Sequence, residues 1–149
     1  MMKKFPPIQK ILEAYTAIAD GHVKLQDGQA SVVSSNKTKT YTVTFKNNIY
    51  TSNDNATYWQ GYAGYPIIAV LLLQGRLSFD KNLAEQFKNI DWNAENKKFK
   101  RNYAKAAEAI MKEKQIDPDL AQAEMNKVYA QLKKLDITIK RGSLRPPKA

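Results

Sequence analysis

The best-organised chemistry in this chain is cationic. On a helix beginning at Asn93, Lys97, Arg101, Lys105 and Lys112 fall on the face opposite Phe99, Tyr103, Ala106 and Ile110. Lys98 and Lys100 flank that face and Glu108 interrupts it. A second group, Lys140, Arg141, Arg145 and Lys148, is strung along residues 140–148. Such spacing suits contacts to successive phosphates. It also suits a solvated helix face. The formal net charge of +10 favours acidic partners, with DNA or RNA first among them.

Aromatic residues form the other cluster. Tyr58, Trp59, Tyr62 and Tyr65 follow one another closely, with Gly61 and Gly64 between them. They could stack bases. The expected arrangement is an aromatic lid over the apolar stretch that follows.

Catalytic groups are sparse. His22 is the only histidine and there is no cysteine, so thiolate and multi-histidine metal sites are excluded. The carboxylate pairs Asp91 with Glu95 and Asp117 with Asp119 sit at predicted helix starts, where the helix dipole favours them. No phosphate-binding glycine loop and no nucleophile elbow occurs. These residues predict no enzyme, no cofactor and no metal.

The elements that must position these groups read clearly. Residues 8–19 space Ile8, Ile11, Leu12, Tyr15 and Ile18 as one helix face, started by Pro6-Pro7 and stopped by Asp20-Gly21. Residues 22–52 alternate as three or four antiparallel strands, turning at Asp27-Gly28, Asn36-Lys37-Thr38 and Asn47-Asn48. Residues 52–57 read as a polar loop. The run from Pro66 to Leu73 is apolar on all sides and predicts a central buried helix, begun by Pro66 and ended near Gly75. Helical patterns follow: a short one capped by Ser78 or Asp80, a long one capped by Asn93 and reaching about Lys114, and a last one started by Asp117-Pro118. The last two predict a C-terminal helical hairpin, and Ile137 to Ile139 a short strand. The fold class is therefore α+β, with one domain over 1–140, its helical part at 76–135, and a disordered basic tail at 141–149. The apolar run is too short to span a membrane and no signal-peptide core appears, which predicts a cytoplasmic protein.

Residues 20–73 resemble a SWIM zinc finger. That family places a strand pair before one ligand pair, then a loop, then a second pair running into an apolar helix. The ligand positions fall here on Tyr50, Ser52, Gly64 and Pro66, none of which offers a thiolate or imidazole. The resemblance implies a metal-free ββα core, with Tyr50, Tyr58, Trp59, Tyr62 and Tyr65 packing where zinc would sit. It also implies binding to DNA or to proteins. Together these features predict weak, largely sequence-independent nucleic-acid binding through the basic helix face and tail. The alternative is a protein–protein interaction module with no nucleic-acid role.

Overall fold

The computed structural model describes residues 2–148. The chain opens with α1 (Lys10–Ala19), buried from Ile11 to Ala17, and Gly21 ends it at a φ of 71°. Four strands follow, β1 (Val23–Gln26), β2 (Gln29–Val33), β3 (Thr40–Lys46) and β4 (Ile49–Ser52), each antiparallel to the next. Asn47 and Asn48 take φ values of 50° and 66°, the two positive values that a type I′ hairpin turn requires. Along β3, Tyr41 and Val43 are buried between half-buried Thr42 and Thr44, the alternation of a sheet with one covered face.

The stretch expected as a polar loop contains a short helix, α2 (Asn55–Gln60). Asp54 caps it, accepting from the Thr57 N–H at 3.0 Å, and Gly61 ends it in the left-handed region. Then comes α3 (Tyr65–Leu73), with Pro66 in its first turn and every side chain from Pro66 to Leu72 buried. It packs against α1 and against β1, β3 and β4, which makes it the centre of the core. Each of its larger aliphatic side chains contributes about 1.5–3 kcal/mol by burial.

Asp80 caps α4 (Lys81–Gln86). The single long helix expected next is two: α5 (Trp92–Lys98), capped by Asp91 rather than Asn93, and α6 (Tyr103–Glu113). Lys100 and Arg101 lie between them at φ 52° and 64°. The Arg101 N–H donates to the Asn96 carbonyl at 2.7 Å, closing the end of α5. Asn102 then accepts from the Lys105 N–H at 3.1 Å, a cap that starts a new helix instead of extending the old one. Asp117 and Pro118 start α7 (Pro118–Lys134), which buries Ala121, Met125, Val128 and Leu132. Residues 114–117 join α6 and α7 as the C-terminal pair.

Last comes β5 (Thr138–Ile139), which pairs in parallel with β4. The sheet is therefore mixed, in the order β1-β2-β3-β4-β5. Within the basic tail, Arg141, Gly142 and Arg145 meet α2, β4 and the residue that follows β4. Arg141 Nε donates to the Tyr58 carbonyl at 3.0 Å, and Asn53 Nδ2 donates to the Arg145 carbonyl at 3.1 Å. A buried relay joins the first helix to the later ones: Trp92 Nε1 donates to Thr16 Oγ1 at 2.8 Å, which donates to the Phe87 carbonyl at 2.6 Å. Among the described residues, no helix is long and apolar enough to cross a membrane.

A candidate binding cleft between α1, α2 and the α5–α6 turn

A cleft of about 570 Å³ opens where α1, α2, the start of α3 and the α5–α6 turn converge. Lys10 and Glu13 of α1 line it together with Tyr41, Asp54, Trp59, Tyr62, Tyr65 and Tyr103. Asn93, Asn96, Lys97 and Arg101 supply the opposite wall. Arg101, in the left-handed turn between α5 and α6, lines this wall. Two adjacent non-glycine residues in that conformation cost about 1–3 kcal/mol each, and such strain concentrates at functional sites.

Deep in the cleft, Lys10 Nζ lies 3.0 Å from Glu13 Oε2, both side chains being only 12% and 8% exposed. The same ammonium sits 4.3 Å from the centre of the Tyr103 ring, and Asn96 Nδ2 donates to Glu13 Oε2 at 3.4 Å. Burial works against the Lys10 ammonium, but Glu13, Tyr103 and Tyr62 outweigh it and raise its pKa. Burial likewise raises the Tyr65 phenol, helped by Tyr41, Glu13 and Asp54. Tyr41 meets Tyr65 edge to face, with ring centres 6.3 Å apart. The floor is thus a neutralised ion pair among tyrosines. Lys97 and Arg101 are exposed, and neither belongs to an ion pair among the described residues, so the free positive charge sits on the wall that α5 and its turn supply.

One side of the cleft is held by a buried polar network. Ser52 Oγ donates to Asp54 Oδ1, Asp54 Oδ2 accepts from the Thr57 N–H, and Thr57 Oγ1 accepts from the Gly64 N–H at 2.9 Å. Ser52 and Gly64, two of the four positions where the SWIM resemblance would expect a ligand, are therefore linked through a carboxylate and a hydroxyl. Of the other two, Tyr50 donates from its hydroxyl to Gln74 Oε1 at 2.6 Å, and Pro66 serves the first turn of α3. The expected aromatic core does not form as one cluster. Tyr50 stacks on Phe45, Tyr65 meets Tyr41, and Tyr58 meets Trp59. Of the aromatics expected as a lid over α3, Tyr58, Tyr62 and Tyr65 are half-buried, whereas Trp59 is 62% exposed. Among the described residues, no group of three or more His, Cys, Asp or Glu could hold a metal ion.

The basic residues are distributed differently from the expected stripe. Lys97 and Arg101 reach the cleft. Lys98 and Lys100 are exposed beside it, Lys98 lying 5.8 Å from the Phe99 ring centre. Lys105 and Lys112 belong to a separate helix, α6, so the four cations do not share one helix face. Lys140 extends the β5 pairing through its N–H to the Tyr50 carbonyl at 2.9 Å. The Arg141 guanidinium lies 4.6 Å from the Tyr58 ring centre and 5.3 Å from that of Trp59. Arg145 and Lys148 are exposed beyond it. Sequence reasoning missed Lys10, Glu13 and Tyr103. The signal for the first two was present, since Glu13 is a charged residue among Ile11, Leu12, Ala14 and Tyr15.

The chain is a small α+β protein whose α1–α2–α5 cleft is lined by tyrosines and Trp59, with Lys97 and Arg101 exposed on one wall. The chain belongs to the family described as uncharacterised conserved protein UCP014422, whose profile matches residues 3–138. That span includes every residue of the cleft, and Arg141 and Arg145 lie beyond it. No curated protein and no solved structure matches the chain.

Proposed function

We propose that this chain is a non-enzymatic, cytoplasmic nucleic-acid-binding protein whose contact surface is the cleft. One observation carries the reading: Lys97 and Arg101, with no carboxylate partner among the described residues, converge with Trp59, Tyr62 and Tyr103 on a single concavity. Cations beside exposed rings are what a sequence-tolerant nucleic-acid site needs. The net charge of +10 and Arg141 beside Trp59 extend the favourable field. The resemblance of residues 20–73 to SWIM fingers, a family that binds DNA or proteins, is in keeping with this reading.

Affinity for a labelled oligonucleotide, followed by fluorescence anisotropy across a salt series, tests this. Changing Lys97 and Arg101 together to Ala is expected to flatten the slope of log affinity against log salt by about two units. An unchanged slope, or no binding at low salt, refutes the reading. The protein-interaction alternative would then start from the exposed Leu120 and Leu144.

A further inference from the structure

We propose that the cleft takes an unpaired base, so that the ligand is single-stranded nucleic acid and not a duplex. This rests on the nucleic-acid reading above and adds to it how the strand is held.

The order of groups from mouth to floor carries the inference. The free cations, Lys97 and Arg101, are exposed on the α5 wall. The cation at the floor, Lys10, is already neutralised by Glu13 at 3.0 Å, and buried Asp54 lies on the same lining. A phosphate driven to the floor would meet two carboxylates and no free ammonium. A ligand must therefore keep its anionic part at the mouth and send an uncharged part inward. Tyr62, Tyr65 and Tyr103 contribute rings to the inner surface that would receive that part, one of them, Tyr103, already beside Lys10, and Trp59 stands at the edge. A nucleotide of a single strand has this polarity: a flat uncharged base on one side and a phosphodiester on the other. A duplex does not, because its bases are stacked on one another and its outer surface is phosphate. A volume of about 570 Å³ is that of a small-molecule site, large enough for a base with its sugar. Trp59 is set in place before any ligand arrives. Tyr58 meets its ring edge to face at 4.8 Å, and the Arg141 guanidinium lies 5.3 Å from its centre.

The test compares three probes by anisotropy at low salt: labelled oligo(dT), a hairpin duplex of equal phosphate number, and an abasic single strand of equal length. Intrinsic fluorescence is read in parallel. Trp92 is 2% exposed and Trp59 62%, so quenching by a stacked base reports on Trp59. Oligo(dT) is expected to bind tightest and to quench. Trp59→Ala is expected to weaken oligo(dT) by roughly 5- to 150-fold, with the salt slope and the affinity for the abasic strand unchanged. Trp59 is exposed, so the variant should keep the parental melting temperature, which is measured alongside. If the duplex or the abasic strand binds as tightly as oligo(dT), without quenching, base insertion is wrong and the general nucleic-acid reading survives. If no probe binds, both fall.

Discussion

Adding one methyl group at Gly64 tests the network that holds the cleft. Gly64 has φ −71° and ψ 175°, which any residue adopts, so Ala brings no backbone strain. With open space around it, Gly64→Ala would stabilise by about 0.4–1 kcal/mol through the unfolded chain. The space is not open. A Cβ there would overlap Asp54 Oδ2 and lie 2.9 Å from Thr57 Oγ1 and 3.1 Å from Asp54 Cγ. Neither neighbour can swing away freely. Asp54 is bonded to Ser52 Oγ and the Thr57 N–H, and Thr57 Oγ1 to the Gly64 N–H. Overpacking of this kind costs about 1–3 kcal/mol, and losing the α2 cap adds about 1 kcal/mol. Set against the entropic gain, the net is a destabilisation of about 2 kcal/mol, or roughly 4–8 °C in Tm for a chain of this size. Thermal and urea unfolding followed by circular dichroism measure it. In an Asp54→Ala background the overlap with the carboxylate is gone and only the 2.9 Å approach to Thr57 Oγ1 remains, so the double variant should lose less than the two single losses added, with a coupling of about 1–2 kcal/mol. A Gly64→Ala protein that melts at or above the parental temperature, or strict additivity in the cycle, refutes the argument.

Thr16→Val removes the acceptor for Trp92 Nε1 and strands a buried donor, so it should cost about 1–3 kcal/mol in urea unfolding and alter Trp92 fluorescence. Stability should also fall with pH above about 10. Burial raises the phenol pKa of Tyr15, Tyr41, Tyr62 and Tyr65, so near that pH the unfolded chain gives up these protons while the folded chain retains them. Lys10, also raised, keeps its stabilising charge below its unfolded pKa and loses it as pH rises through the folded one, which adds to the same decline. Urea midpoints measured from pH 8 to 11 should drop, and a flat or rising series contradicts the assigned burial.

The parts of the fold that the sequence announced are those fixed by local chemistry. Pro66 and Gly75 bracket an apolar run, Asp27-Gly28 and Asn47-Asn48 demand turns, and Asp117-Pro118 can only begin a helix. The break between α5 and α6 was hidden because Lys100 and Arg101 carry no glycine signal for a left-handed backbone. Their conformation is held by the Arg101 N–H bond to Asn96 and by the Asn102 cap. Asn102 itself was a legible cap, outweighed by the apolar spacing on either side. The convergence of these groups on one cleft could not be read, since Lys10, Trp59 and Arg101 are far apart in the chain and meet only through packing around α3. Of the expected basic stripe, only Lys97 and Arg101 line the cleft.

The parallel pairing of β4 with β5 has a consequence for how the protein is made. The β4 edge gains its partner only after everything from α2 through α7 has been synthesised. At about 5–20 residues per second, that interval is roughly 4–20 seconds on the ribosome. During it, the nascent meander presents unpaired N–H and C=O groups along Ile49–Ser52, a template for another chain's strand. Thr44 Oγ1 and Thr51 Oγ1 bond to each other across β3 and β4, so the hairpin itself is held while that edge waits. Completion of the sheet thus registers that the helices have been made, and the Lys140 N–H bond to the Tyr50 carbonyl extends it by one further step.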